Sequence, residues 1–278
     1  MYSGGGMSQY SRRSIIVMLL PVLLLAACAT VPITGRRSLN IVPAATINAM
    51  SFEQYSQFLD AHELSDDAGQ MAMVKRVGRK IQRAVEEYFA ASGMADHLEG
   101  YDWEFNLIED SLVNAWCMPG GKVVVYTGIL PVCRDESGLA VVVGHEIAHA
   151  VANHGNERMS QGLLVNFGGM ALSKALEEKP AATQELFMLA FGVGANVGVL
   201  LPYSRLHESE ADHLGLIFMA MAGYDPRVAV DFWQRMAAEG GASPPEFLST
   251  HPSDATRVEN LKELIPEAMD YYEKGRGR

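Results

Sequence analysis

Cysteine is scarce. Only Cys28, Cys117 and Cys133 occur in 278 residues, too few for a disulfide scaffold. Positive charge is also short: 22 Lys and Arg face 33 Asp and Glu, for a formal net charge of −11. That balance argues against nucleic acid as a partner, because phosphate binding needs a basic face. Internal repeats are missing, and the uncharged apolar run at 15–25 is too short for a comfortable transmembrane helix. What is present suffices for a folded domain: 49% of residues are hydrophobic, enough to bury a full core.

The amino terminus carries an address. Arg12 and Arg13 precede the apolar run, and Ala26-Ala27-Cys28 follows it. A basic segment, a short apolar segment and small residues at its end make a secretory signal peptide. Leu25-Ala26-Ala27-Cys28 resembles a bacterial lipobox, which implies removal of residues 1–27 and a lipid on Cys28. Ala29, in place of Asp, implies sorting to the periplasmic face of the outer membrane. Lipid chains, not charge, would then hold the protein to the membrane. Residues 28–45, with Pro32, Gly35 and Pro43, read as a lipidated tether without regular structure. A single domain is expected over 46–273, with a frayed tail at 274–278. In an oxidising compartment Cys117 and Cys133 are a candidate disulfide pair.

Hydrophobic periodicity predicts helices at 47–59 and 71–89, the second with Val74, Val77, Ile81 and Val85 on one face. Alternation at 103–107 and 112–118, the turn Pro119-Gly120-Gly121 and the β-branched stretch 122–127 predict a small antiparallel sheet. A helix N-capped at Asp135 and running to about 153 follows. Residues 158–203 are apolar and glycine-rich and read as buried or cleft-lining helices. Further helices are expected at 204–221, 225–238 and 255–272. The fold class is α+β: a mostly helical domain with a small antiparallel sheet beside the central helix.

That central helix carries His145-Glu146-Ile147-Ala148-His149. Positions i and i+4 lie one turn apart on one face, so both histidines can bind one zinc ion. Glu146, carried alongside, can take a proton from water at the metal. A third ligand is needed. The metzincin spacing requires Gly and His where Ala152 and Gly155 stand, so that reading fails; His154 is one residue off and reads as a surface or helix-end histidine. In Ser204-Arg205-Leu206-His207-Glu208-Ser209-Glu210-Ala211-Asp212, the side chains of His207, Glu208 and Glu210 compete for the role. Glu208 and Asp212 share a face, and Asp212 could accept a hydrogen bond from the ring N–H of a ligand histidine.

Together, His145-Glu146-Ile147-Ala148-His149, Ser204-Arg205 and Glu208-x-x-Ala211-Asp212 resemble the gluzincin metallopeptidases of peptidase family M48. Thr34-Gly35-Arg36-Arg37, Asn114-Ala115 with Pro119-Gly120-Gly121, and His251-Pro252 with Arg257 extend the resemblance over nearly the whole mature chain. It is to a bacterial lipoprotein form without tetratricopeptide repeats. The resemblance implies a zincin-type metallopeptidase fold with one Zn2+, and selects Glu208 as third ligand beside His145 and His149. It implies Glu146 as the base, and His251 either as a donor to the reacting carbonyl or as an inhibitory ligand in the open position. It places an extended substrate along 114–118, at Asn114 and Ala115. The implied substrates are polypeptides, among them misfolded or misassembled envelope proteins. The competing expectation is a latent, chaperone-like assembly factor with the same fold and little proteolysis.

Overall fold

The computed structural model describes residues 28–32, 34–167, 172–178, 180–191, 204–239, 246–251 and 256–276. The signal-peptide expectation for 1–27 and the apolar stretch 192–203 lie outside the described residues. A two-stranded antiparallel hairpin, β1 (Cys28–Thr30) and β2 (Arg37–Leu39), leads into α1 (Ala44–Ala61) and α2 (Ala68–Ala91). Next come β3 (Glu104–Ile108), β4 (Ala115–Met118) and β5 (Lys122–Tyr126), and a short α3 (Leu130–Cys133). The helices α4 (Glu136–Val151), α5 (His154–Phe167), α6 (Leu172–Glu178) and α7 (Pro180–Ala190) follow. Then come α8 (Arg205–Met221), α9 (Val228–Ala238), α10 (Glu246–Thr250) and α11 (Arg257–Arg276). The fold is mostly helical α+β.

Three features depart from the sequence reading. The sheet has the order β3-β5-β4 and is mixed, not antiparallel throughout: β4 and β5 form the hairpin, whereas β3 runs parallel to β5 on its other side. A period of two identifies the faces of a strand and says nothing about its direction. Residues 28–45 are no irregular tether, since the hairpin buries Val31 and Ser38, and Val42 follows into the core. The last helix continues to Arg276, past the expected fraying point. Among the described residues no helix is long and apolar enough to cross a membrane.

The element that orders the rest is α4. The Asp135 side chain caps it by accepting from the Gly138 N–H, and every residue from Gly138 to Val151 is buried. A helix apolar on all sides has to be wrapped. Here α2, α8, α9 and the β4 edge of the sheet enclose it. Its contact with α8 is close enough to exclude side chains. A Cβ built on Gly144 would meet the Gly215 carbonyl oxygen at 3.0 Å, and one on Gly215 would meet the His145 nitrogen at 3.0 Å. Gly215→Val should therefore push the helices apart and destabilise the fold by about 1–3 kcal/mol, read by urea denaturation. An unchanged midpoint would show that the crossing has slack.

Candidate metal centre

The close crossing sets one face of α4 against the first turn of α8. From α4 come His145 and His149, both buried, with Nε2 atoms 3.0 Å apart. From α8 comes Glu208, whose carboxylate lies 3.5 Å from His145 Nε2 and 3.4 Å from His149 Nε2. Ser204 caps α8 by accepting from the His207 N–H, and the positive helix end favours a carboxylate in that turn. His251, just after α10, adds its Nδ1 at 3.1 Å from Glu208 and 3.3 Å from His145. One ligand atom from each of these four side chains lies within 4.8 Å of the others. Donors sharing a tetrahedral zinc at about 2.0–2.1 Å are about 3.3 Å apart, so this nitrogen and oxygen set fits zinc. Burial opposes the charge of Glu208, yet His251, His145 and His149 outweigh it and hold the carboxylate well below its usual range.

Behind these ligands stands a hydrogen-bonded layer. Asp212 Oδ1 lies 3.0 Å from His145 Nδ1, and the carboxylate accepts from Arg257 on both oxygens, at 2.7 Å on Oδ1 and 2.8 Å on Oδ2. Arg257 also donates to Glu208 at 3.1 Å and lies flat over Trp233 at 3.3 Å. Burial disfavours a charge on His145, but the bonds to Asp212 and Glu208 prevail and raise its pKa to about 9. Burial pushes His149 well below its usual value despite Glu208.

Glu146 points into the same space. Its Oε1 is buried without a hydrogen-bond partner, with His251 Nε2 at 3.4 Å, and burial raises its pKa. Asn114 precedes β4 and Ala115 opens it, on the edge of the sheet beside α4. Tyr126 N–H donates to the Asn114 carbonyl, so by alternation the peptide groups of Ala115 and Cys117 face the outer edge. Cys117 and Cys133 are both free and buried. The candidate disulfide is therefore not formed; burial pushes Cys133 up to about 12 and Cys117 well above the thiol range.

His154 is the largest correction. It is fully buried, with Nδ1 at 2.9 Å from His149 Nδ1 and Nε2 at 3.0 Å from Glu210. Asn153 takes a left-handed conformation, φ 59°, which ends the first helix and swings His154 back toward His149. An asparagine directly after the histidine-bearing helix was the available signal. Burial pushes His154 down to about 4 despite Glu210. Glu210 is thus occupied away from the ligand cluster: besides His154 it accepts from Thr34 and from Arg36 Nε at 2.8 Å. Arg36 also forms a fork on Glu157 at 2.9 and 3.2 Å, and Glu157 pairs with His207 at 3.2 Å.

Drawing the third ligand as a glutamate from a second helix is the gluzincin solution, and it defines the class as zinc metallopeptidase. The chain belongs to Peptidase family M48, whose family model matches residues 75–265. Mitochondrial metalloendopeptidase OMA1 of Schizosaccharomyces pombe is 36% identical over 241 residues, which is 86% of this chain and 67% of that protein. The human mitochondrial metalloendopeptidase OMA1 is 31% identical over 252 residues, 87% of this chain and 47% of its own length. The beta-barrel assembly-enhancing protease of Yersinia pestis is 27% identical over 168 residues, covering 58% of this chain and 34% of that protein. The chain thus spans from 34% to 67% of the length of these relatives.

Two outcomes are expected. Glu208→Gln should drop bound zinc, measured by atomic absorption after gel filtration, from about one per chain to below roughly 0.1; stoichiometric zinc in that variant would remove Glu208 from the ligand set. The second concerns acid stability. Burial opposes ionisation of Glu157 and Glu210, but His207, His154 and Arg36 hold both at about 2. Carboxylates with depressed folded pKa values stabilise above their unfolded pKa, and that stability fades as pH falls toward about 2. Arg36→Met should therefore be destabilised relative to wild type at pH 7, with the gap closing between pH 4.5 and 2 in thermal melts. A gap of constant size would refute the ion-pair account.

Proposed function

We propose that this chain is a zinc-dependent endopeptidase that hydrolyses peptide bonds of proteins in the bacterial envelope. The observation that carries the reading is Glu146: a buried carboxylate oxygen, without a hydrogen-bond partner, 3.4 Å from Nε2 of His251, which itself joins His145, His149 and Glu208 in the donor cluster. Bound zinc would supply a Lewis acid that acidifies water and polarises the scissile carbonyl. Glu146, with its raised pKa, takes the proton of the attacking water and passes it to the leaving amine. Asp212 and Arg257 keep the His145 ring oriented during this transfer. An extended substrate runs along the β4 edge from Asn114 and Ala115, where the outward carbonyl of Ala115 and the peptide groups of Cys117 supply affinity with little side-chain selectivity.

Membership of the family supports polypeptide substrates, and the beta-barrel assembly-enhancing relative supports an envelope setting. The lipobox supports a lipid on Cys28 and a place on the periplasmic face of the outer membrane. Misfolded or misassembled outer-membrane proteins are the substrates in this reading, and quality control is the role.

One observation favours latency as well. His251 Nδ1 stands where a fourth ligand would, and His251 Nε2 lies beside Glu146. In this arrangement His251 closes the position that a substrate carbonyl or water needs, and the segment bearing it has to withdraw before turnover. Unfolded casein with and without chelator tests both readings. Glu146→Gln should lower cleavage by about 10²–10⁴-fold with zinc content unchanged. His251→Ala should raise cleavage if the histidine is an inhibitory ligand; a fall of similar size to that of Glu146→Gln would make it a donor to the reacting carbonyl instead.

A further inference from the structure

We propose that His154, backed by Glu210, is a positioning residue for the metal ligand His149, and that Thr34 and Arg36 of the β1–β2 turn hold it in place. The proposal rests on the zinc reading above and adds residues that neither the ligand motif nor the base accounts for.

A histidine that binds a metal through Nε2 carries its proton on Nδ1, and that proton needs an acceptor. For His145 the acceptor is a carboxylate, Asp212. For His149 the atom within reach is His154 Nδ1 at 2.9 Å. Accepting there fixes the single proton of His154 on Nε2, which faces Glu210 Oε2 at 3.0 Å. Glu210 only accepts, and its remaining capacity is filled by Arg36 Nε and the Thr34 hydroxyl. The two histidine bonds run outward from the ligand ring and end on Glu210, which also accepts from Arg36 and Thr34, and within the series neither histidine is asked to donate twice. The His207 ring stacks on His154 with centroids 4.5 Å apart and an interplanar angle of 21°, which limits rotation of the His154 ring. His207 and Arg36 both end on Glu157, so the support is cross-braced. His149 therefore differs from His145: its carboxylate stands one imidazole away, and the anchor of that carboxylate comes from the amino-terminal hairpin.

The test uses the full chain loaded with zinc. His154→Phe should weaken zinc affinity by about 10–100-fold in competition with a chromophoric chelator. It should also alter the visible absorption of the cobalt-substituted protein, while thermal unfolding of the metal-free form stays close to wild type. His154→Gln, whose amide can accept on one atom and donate from the other, should restore most of the affinity. Wild-type affinity and spectrum in His154→Phe would overturn the relay, as would equal loss in both variants, which would mark simple packing. Should His154→Phe not fold, long-range imidazole nitrogen–proton spectra of the zinc-loaded wild type decide: a proton on His154 Nε2 supports the relay, and one on Nδ1 overturns it. Wild type without stoichiometric zinc would overturn the metallopeptidase reading itself.

Discussion

The site depends on how closely two helices approach. At Gly144 and Gly215 the backbones of α4 and α8 touch, with no side chain between them. The two histidines sit just beyond Gly144 on one helix, and Glu208 lies two turns before Gly215 on the other. A metal site needs its donors within tenths of an ångström of their working positions. A backbone contact is the stiffest spacer available, since it has no rotamers to adopt. The α-carbon hydrogens of two glycines set the distance on which the donor set relies.

Around that spacer the charges are arranged in two parallel groups. Each is an arginine bridging two carboxylates: Arg257 with Asp212 and Glu208, and Arg36 with Glu157 and Glu210. An unpaired buried carboxylate would be costly and would neutralise itself. Pairing each with a guanidinium compensates its charge and fixes its direction, because the planar fork of arginine admits few geometries. One group backs His145 and the other backs His149. Glu208 belongs to the donor set itself, while Asp212 and Glu210 hold the ligand rings from behind.

Much of this was legible in the sequence, and the gaps have physical causes. His145, Glu146 and His149 follow from helical period alone, and the resemblance separates Glu208 from Glu210, which the structure places in different shells. Helices α2, α4 and α8 follow from periodicity, and α4 also from its cap at Asp135, whereas the caps at Asp67 and Ser204 emerge from the structure. The parallel pairing of β3 could not be read, because alternation is blind to direction. The hairpin at 28–39 was hidden by proline and glycine, which mark its turn but look like a linker. His154 does open a helix, as a helix-end histidine would, but the surface reading missed that the left-handed turn at Asn153 points it inward.

One feature bears on where such a fold can operate. Cys117 and Cys133 lie in the interior as free thiols that burial keeps protonated. Neither contributes a covalent cross-link, so the architecture is indifferent to the redox poise of its surroundings. The same packing can assemble in a compartment that makes disulfides and in one that reduces them. In this chain that latitude comes from the depth at which the two thiols lie.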